Sequence, residues 1–338
     1  MSQNKNDAQP AAVLVTGGAG YVGSILVRDL LEQGHQVIVL DKLMFGGESL
    51  LGVWGHPGLV FIKGDVTDQA TVAAVLDRHP CQAVVHLAAI VGDPACKREP
   101  ELARATNWEA SVNLLGESKR RGVERFIFAS TCSNYGKMAD PGGYVDEEST
   151  LAPVSLYAEL KVKFEEVLLA PSDQSLCPTS LRFATVYGLS HRMRFDLTVN
   201  EFTKELALNK ELVVFGEKFW RPYCHVADFS RAIRAVLAAP AAKVSHQCFN
   251  VGATEENYTK GMIIAELAKH FPAANIKRVE KLEDPRDYRV RFDKIESQLG
   301  FKISRTVPQG IAEIKEVVEL GVIAQPEDQR YYNIPHQA

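Results

Sequence analysis

The sequence lacks any run of about 18 apolar residues, the minimum that a membrane-spanning helix needs, so a spanning segment is excluded. Its first ten residues, MSQNKNDAQP, are polar and contain no apolar stretch of the kind found in secretory signals. The six cysteines form no C-x-x-C pair, which argues against a disulfide framework or a structural zinc site. We therefore expect a cytoplasmic protein with reduced thiols and no metal.

Positive charge is not in excess either. The chain has 38 Lys and Arg against 42 Asp and Glu, a formal net charge of −4. This balance argues against a broad nucleic-acid surface, although it leaves room for a local anion pocket. With 338 residues, 46% hydrophobic and 24% charged, the chain has the composition of a globular protein of about two domains.

The first half alternates short apolar, β-branched segments with longer segments of helical period. Strands are predicted at 12–15, 37–40, 60–62, 83–87, 126–129 and 181–183, and helices at 22–32, 70–78, 109–121 and 156–169. Apolar strands separated by helices are typical of a parallel sheet that is covered on both faces. The pattern predicts a Rossmann-like, doubly wound α/β domain.

After residue 184 this alternation loosens. Helices are predicted at 197–208, 226–238, 262–269 and 308–320, with short strands at 212–215 and 249–251. We interpret the second half as a smaller, mixed α/β domain for the substrate. The first domain is expected to cover 10–183, with 223–253 returning to it, and the second to cover 184–222 and 254–325.

Three glycines follow the first predicted strand and open the first predicted helix: Gly17, Gly20 and Gly23. Residues without a Cβ permit a tight turn and let a pyrophosphate approach backbone N–H groups at the positive end of a helix. The spacing G-x-x-G-x-x-G is a variant of the G-x-G-x-x-G fingerprint. It predicts a dinucleotide cofactor.

Asp41 closes the second predicted strand, 18 residues beyond Gly23. A carboxylate there can accept hydrogen bonds from ribose hydroxyls, and it repels a 2′-phosphate. The sequence therefore favours NAD over NADP, although Lys42 offsets part of that repulsion.

Hydroxyl-bearing residues follow the strand predicted at 126–129, namely Ser130, Thr131 and Ser133. The carboxyl ends of parallel strands face the crevice in which ligands bind. Tyr157 and Lys161, four residues apart on a predicted helix, share one helix face. A neighbouring cation lowers the pKa of a tyrosine and makes it a usable acid or base near neutral pH.

Together, these motifs resemble the extended short-chain dehydrogenase/reductase family, the NAD-dependent nucleotide-sugar epimerases and dehydratases of the UDP-glucose 4-epimerase type. The resemblance extends from Val13 to Gly310 and rests on TGGAGYVGS, LDK, GDVTD, HLAA, STCSNYG, YAELK and RPYCHVAD. It implies that Tyr157 is the acid/base, that Lys161 binds the nicotinamide ribose, and that Thr131 binds the reacting sugar oxygen.

The resemblance also implies two binding sets. The residues implied to bind NAD are Gly17, Gly20, Tyr21, Val22, Gly23, Asp41, Lys42, Asp65, Val66, Leu87, Ala88, Ala89, Asn107, Tyr157 and Lys161. Those implied to bind a nucleotide-diphosphate sugar are Thr131, Ser133, Thr185, Arg192, Asn200, Arg221 and Arg289. In the second set, Arg221 and Arg289 resemble arginines that bind the substrate diphosphate, whereas Arg192 and Asn200 are implied at the sugar or uridine end. Thr185 stands where many members have asparagine, which leaves the substrate's pose open.

The residues after Thr131 bear on the reaction. The 4,6-dehydratases of this family have Asp-Glu there, and the UDP-glucuronate decarboxylases have Glu at the position of Ser133, whereas this chain has Cys132 and Ser133. Elimination and decarboxylation thus lack the carboxylate that usually assists them. The resemblance therefore favours 4-epimerisation through a transient 4-keto-sugar. The alternatives are a dehydratase or decarboxylase, an NAD(P)H-dependent keto-sugar reductase, and a non-catalytic NAD-binding protein. Cys132 is expected to be a buried core thiol, and the family implies a homodimer through two helices per subunit.

Overall fold

A seven-stranded parallel sheet forms the centre of the fold in this computed structural model, which describes residues 11–138, 140, 142–171, 175–280 and 286–333. The strands are β1 (Ala12–Thr16), β2 (Gln36–Asp41), β3 (Leu59–Lys63), β4 (Ala83–His86), β5 (Arg125–Thr131), β6 (Cys177–Phe183), β7 (Thr185–Tyr187), β8 (Leu212–Phe215), β9 (Trp220–His225), β10 (Gln247–Val251), β11 (Asn257–Thr259) and β12 (Ile276–Val279). The large sheet has the order β3-β2-β1-β4-β5-β6-β10, and all its pairs are parallel. This confirms the predicted doubly wound fold.

Helices connect these strands. They are α1 (Gly23–Glu32), α2 (Gln69–Arg78), α3 (Asp93–Arg98), α4 (Pro100–Arg104), α5 (Ala110–Arg120), α6 (Leu156–Leu169), α7 (Thr198–Ala207), α8 (Val226–Ala238), α9 (Ala241–Val244), α10 (Lys260–His270), α11 (Asp293–Leu299) and α12 (Val307–Glu319). A π-helical turn, Ala105–Glu109, leads into α5. Helix α6 begins where the Ser155 hydroxyl accepts a hydrogen bond from the Ala158 N–H, a side-chain cap that fixes its first turn.

Both faces of the large sheet are covered, which explains why its strands are apolar at successive positions. Val13 and Val15 of β1 belong to one buried cluster, together with Leu26 of α1 and Ile233 of α8. Leu14 belongs to the cluster on the opposite face, which contains residues of α2, α5 and α6. Successive side chains of a strand point to opposite faces, so a strand buried on both sides contains no polar alternation.

The second half contributes one strand to the large sheet and builds two small sheets. β10 pairs with β6, whereas β11-β9-β7 and β12-β8 form separate sheets. Helices α7, α10 and α12 share a separate buried cluster with β8 and β9. Strands β7, β9, β11 and β12 and helices α3, α4, α9 and α11 were not predicted from the sequence. The division into two domains stays a prediction.

Across the described ranges, no helix is both long and apolar enough to span a membrane. The same part of the chain holds no group of three or more His, Cys, Asp or Glu residues that could hold a metal ion. The six cysteines are free thiols, and five of them are buried.

Candidate active site

A cleft of about 600 Å³ opens at the carboxyl ends of β1 and β4. Here the chain reverses direction across the sheet, since β2 and β3 lie on one side of β1 and the strands from β4 onward lie on the other. Crevices at such switch points are where doubly wound sheets bind ligands. Most of the predicted site residues line this cleft.

The glycine turn forms one end of the cleft and joins β1 to α1. Gly17 has φ +74°, and an added Cβ there would lie 2.8 Å from the Ala88 nitrogen on the neighbouring strand connection. A Cβ at Gly20 would meet only the Gly17 carbonyl oxygen, at 3.2 Å, so this residue leaves the cleft side of the turn open. A concave turn of this kind, at the N-terminus of a ten-residue helix, fits a pyrophosphate.

Asp41 lies at the end of β2, beside this turn. Its carboxylate accepts hydrogen bonds from the Leu43 N–H (2.8 Å) and the Ala19 N–H (3.0 Å). Burial raises the pKa of Asp41, and the two backbone donors oppose that rise. The two N–H groups hold the carboxylate at the cleft wall, where a ribose would meet it.

Lys42 faces Asp65 rather than the cleft's centre. Its ammonium forms an ion pair with the Asp65 carboxylate, with 3.2 Å between Nζ and Oδ2. Asp65 also accepts a hydrogen bond from the Thr67 N–H at 2.9 Å. With its charge engaged by Asp65, Lys42 is a weak partner for a 2′-phosphate, which strengthens the preference for NAD expected from Asp41.

Replacing Asp41 by asparagine is expected to raise the affinity for NADP relative to NAD by at least about tenfold, since like-charge juxtaposition costs several kcal/mol. Asparagine keeps the size of the side chain and one of its two acceptor oxygens, and it removes the negative charge. Titration of both nucleotides by calorimetry measures the ratio. Asp77→Asn, on an exposed side chain paired with Arg121, is the matched control. An unchanged ratio in Asp41→Asn would remove Asp41 from the ribose site.

The wall after β4 contains Leu87, Ala88 and Ala89. Asn107 lies behind that wall and does not line the cleft. Its side-chain oxygen accepts from the Ile90 N–H (2.8 Å), and its amide donates to the Ile90 carbonyl (2.9 Å). Asn107 therefore acts on the cleft through the backbone of this segment.

Thr131, Tyr157 and Lys161 all line the cleft. Thr131 ends β5 and caps a 3-10 turn, accepting a hydrogen bond from the Ser133 N–H at 3.1 Å. Tyr157 lies in the first turn of α6. One turn later, Lys161 donates from Nζ to the Ala129 carbonyl at 2.7 Å, and this Nζ lies 5.8 Å from the centre of the Tyr157 ring. The structure thus brings the three predicted catalytic residues to one region.

The electrostatics of this pair differ from the expectation. Burial raises the pKa of the Tyr157 phenol, and the neighbouring Cys96 and Asp93 add to the rise. Burial also lowers the pKa of Lys161 to about 7. Both charged forms lose hydration in a closed site, and this loss outweighs the attraction that the spacing of four residues suggested. A phenolate at Tyr157 thus needs further positive charge beside it.

Ser133, Thr185, Arg192 and Arg221 also line the cleft. Arg221 donates to the Trp220 carbonyl at 2.6 Å, and its guanidinium carbon lies 5.3 Å from the centre of the Tyr288 ring. Cys132 is fully buried behind Thr131, and burial raises the pKa of its thiol, as expected for a core residue.

Two of the predicted substrate residues do not line the cleft. Asn200 is fully buried, and its amide group bonds to the Gly188 N–H (2.9 Å), the Arg194 carbonyl (2.8 Å) and the Tyr21 hydroxyl (3.1 Å). Arg289 donates to the Gly142 carbonyl, and its guanidinium lies against the rings of Tyr144 and Trp220. In both cases the polar side chain is engaged by the protein's own backbone and rings.

Other cleft residues were not predicted from the sequence. Arg194 forms a bidentate pair with Asp196, at 2.9 and 2.7 Å. Arg286 pairs with Asp93 at 2.8 Å, and Asp93 in turn accepts from the Ser155 hydroxyl that caps α6. The R-x-R-x-D spacing at 192–196 was a sequence signal for the first pair, whereas nothing local signalled the second, which joins residues almost 200 positions apart.

Comparison with known proteins gives consistent results. A family model described as "NAD dependent epimerase/dehydratase family" matches residues 13–252. UDP-glucose 4-epimerase of Erwinia amylovora is 28% identical over 285 residues, which cover 78% of this chain and 83% of that protein. A dTDP-glucose 4,6-dehydratase of Streptomyces niveus is 31% identical over 319 residues, covering 90% and 91%. The crystal structure of UDP-glucose 4-epimerase from Thermotoga maritima with UDP-glucose has a TM-score of 0.82 at 27% identity, covering 92% and 99%.

These matches extend well beyond the glycine turn and include the substrate side of the cleft. They confirm the resemblance seen in the sequence, that of an NAD-dependent enzyme of the extended short-chain dehydrogenase/reductase type. The chain belongs to the NAD dependent epimerase/dehydratase family. Relatives that catalyse two different reactions match it at comparable identity, so membership leaves the reaction open.

Proposed function

We propose that the protein is an NAD-dependent nucleotide-sugar epimerase that inverts C4 through a transient 4-keto-sugar. The observation that carries this proposal is that, among the described residues, no carboxylate stands free of an ion-pair partner at the reacting end of the cleft. The family resemblance implies that its dehydratases and decarboxylases usually have a carboxylate close to the catalytic threonine.

Among the described residues, four carboxylates line the cleft: Asp41, Asp65, Asp93 and Asp196. The first two lie at the adenosine end, close to the glycine turn. Asp93 is engaged by Arg286 and Ser155, and Asp196 by Arg194. Next to Thr131, the side chains are instead a buried thiol and a hydroxyl, Cys132 and Ser133. A reaction that needs only proton exchange at the sugar hydroxyl fits this lining best.

In this proposal, Tyr157, Thr131 and Lys161 have separate roles in the reaction. When bound, NAD supplies a hydride acceptor with a positively charged nicotinamide ring. Tyr157 takes the proton of the sugar hydroxyl and returns it. The positive charge that a phenolate there needs in addition to Lys161 would come from the nicotinamide ring of bound NAD. Thr131 donates to the reacting oxygen, and Lys161 binds the nicotinamide ribose.

The substrate side supports a nucleotide diphosphate. Arg221 offers a guanidinium to the diphosphate, for which paired, charge-assisted hydrogen bonds are the usual means of recognition. Ser133 and Thr185 offer small hydroxyls to the sugar. Their small size leaves space in which the keto-sugar can rotate and present its other face to the cofactor. UDP- and dTDP-linked sugars are the first substrates to test, because the relatives that match act on UDP-glucose and dTDP-glucose. A homodimer through two helices per subunit stays a prediction.

The reaction is tested with a panel of UDP- and dTDP-hexoses deuterated at C4. The expected product is the C4 epimer with deuterium retained on the same carbon, with unchanged mass and without accumulation of NADH. Mass spectrometry and proton NMR of the quenched reaction measure all of these. Unlabelled substrate, treated in parallel, separates loss of label from loss of substrate.

Other outcomes identify the alternatives. A product lighter by water or carbon dioxide would contradict the proposal and indicate a dehydratase or decarboxylase. Stoichiometric consumption of added NADH would indicate a keto-sugar reductase. NAD binding without turnover of any sugar in the panel would favour a non-catalytic NAD-binding protein.

A further inference from the structure

The segment 188–190, which follows β7, is hydrogen-bonded directly to the glycine turn and the start of α1. The Tyr21 hydroxyl donates to the Gly188 carbonyl, and the Ser190 hydroxyl donates to the Tyr21 carbonyl at 2.6 Å. The hydroxyls of Ser24 and Ser190 also bond to each other, at 3.1 Å. These contacts hold residues 188–190 against the N-terminus of α1, so Arg192, two residues further on, lies at the cofactor's end of the cleft.

Arg192 is a cation without an anion in the described structure. It is 7% exposed and lines the cleft. Its Nη1 donates to the Asn333 side-chain oxygen at 2.7 Å, and its guanidinium carbon lies 4.1 Å from the centre of the Phe45 ring. Its Nε and Nη2 are buried and have no hydrogen-bond partner among the described residues. Two unpaired N–H groups on a buried charge are costly unless a ligand satisfies them.

The nearby acid is already engaged. Asp196 accepts a hydrogen bond on Oδ1 from Nε of Arg194 and one on Oδ2 from Nη2 of Arg194. Its Oδ2 also accepts from the Asn333 N–H at 3.4 Å. Burial and the charge of Arg194 together lower the pKa of Arg192 to about 10. An anionic ligand would offset the cost of burying the Arg192 charge by adding a negative charge beside it.

We propose that Arg192 binds the pyrophosphate of the bound NAD, and that Arg192, Phe45 and Asn333 together close the cleft over it. The glycine turn presents backbone N–H groups from one side, and Arg192 adds a charged donor from the segment fastened to that turn. The proposal places Arg192 on the cofactor, whereas the family resemblance implies it at the sugar or uridine end of the substrate. The proposal rests on the binding of NAD and not on which reaction follows.

The three residues come from three distant parts of the chain. Phe45 lies on the connection after β2, Arg192 follows β7, and Asn333 lies beyond α12 near the end of the described chain. Release of the dinucleotide must separate the Arg192–Asn333 hydrogen bond and the contact with Phe45. NAD should therefore dissociate slowly and stay bound through many turnovers.

Arg192→Gln tests the assignment without reference to catalysis. The NAD-loaded protein is mixed with excess radiolabelled NAD, and the exchange rate gives the dissociation rate of the bound cofactor. Loss of a charge-assisted hydrogen bond is expected to speed exchange about 10- to 100-fold. UDP, titrated into the NAD-loaded protein by calorimetry, should bind within about twofold of its original affinity.

Arg330→Gln is the matched control, because Arg330 is an exposed arginine that pairs with Asp328 and does not line the cleft. It should change neither measurement, although it removes the same charge. Asn333→Ala, which keeps the charge of Arg192 and removes its hydrogen bond, should speed exchange by a smaller factor. Weakened UDP binding with unchanged NAD exchange would overturn the proposal and return Arg192 to the substrate. Equal weakening of both ligands, or of neither, would also overturn it.

Discussion

Tyr157→Phe is expected to lower kcat by about 10²- to 10⁴-fold, the contribution that a positioned acid/base makes to proton transfer. The substitution removes the oxygen and keeps the ring that packs beside Leu160, Ile90 and their cluster. NAD content and thermal stability should therefore change little. Turnover of the sugar identified by the panel measures kcat. Absorbance of the nucleotide released on denaturation measures the NAD content.

The matched control is Tyr144→Phe, because Tyr144 is 40% exposed and does not line the cleft. It makes the same chemical change outside the site and should leave kcat unaltered. If Tyr157→Phe retained near-original turnover, another group would be the acid/base and the central assignment would be wrong. A loss of activity accompanied by loss of bound NAD would indicate a structural role instead.

The large sheet was predictable because burial on both faces leaves a clear mark in the sequence. Val13 to Val15, Val37 to Leu40 and Ala83 to Val85 are apolar at every position, and no amphipathic helix has that pattern. The ends of the strands were less predictable than their centres. Phe126–Ala129 was predicted, but the strand continues to Thr131, because polar residues at the carboxyl end of a strand face the cleft rather than the core.

The second half was harder to predict for local reasons. β9 contains Arg221 and Pro222, and proline is unusual within a strand because it cannot donate a ladder hydrogen bond. It is nevertheless the middle strand of a three-stranded sheet, through contacts with β7 and β11 that are distant in sequence. The short helices α3 and α4 are separated by a single residue and start with Asp93-Pro94 and Pro100, so neither shows a full helical period.

Site residues were predictable where one short motif contains both the residue and the element that positions it. The glycine turn and the Tyr-x-x-x-Lys pair are such cases. Arg286 and Asn333 are not, because tertiary contacts alone bring them to the cleft, and no spacing in the chain marks them. Asn200, which does not line the cleft, is the opposite case. Its residue type suits a ligand, but its position on α7 lets it bond to the backbone of 188–194.

Gly23→Ala is expected to weaken NAD binding by about 10²- to 10⁴-fold, the loss of about two charge-assisted hydrogen bonds. A Cβ at Gly23 would overlap the Gly17 carbonyl oxygen and lie 2.7 Å from the Gly18 Cα. Both obstacles are backbone atoms of the same turn, so no side-chain rotation can relieve the clash. The turn must move, and its N–H groups then no longer converge on the pyrophosphate.

Gly116→Ala is the control for the same change. Gly116 lies within α5, and its added Cβ would meet only the Arg120 Nη1, at 3.6 Å. Alanine there should raise the free energy of unfolding by about 0.5–1 kcal/mol and leave NAD binding unaltered. Calorimetric titration of NAD and thermal unfolding, measured on both variants, separate the two effects. If Gly23→Ala bound NAD with unchanged affinity, the pyrophosphate could not lie on this turn, because a methyl group at Gly23 cannot be accommodated without displacing the backbone that would bind it.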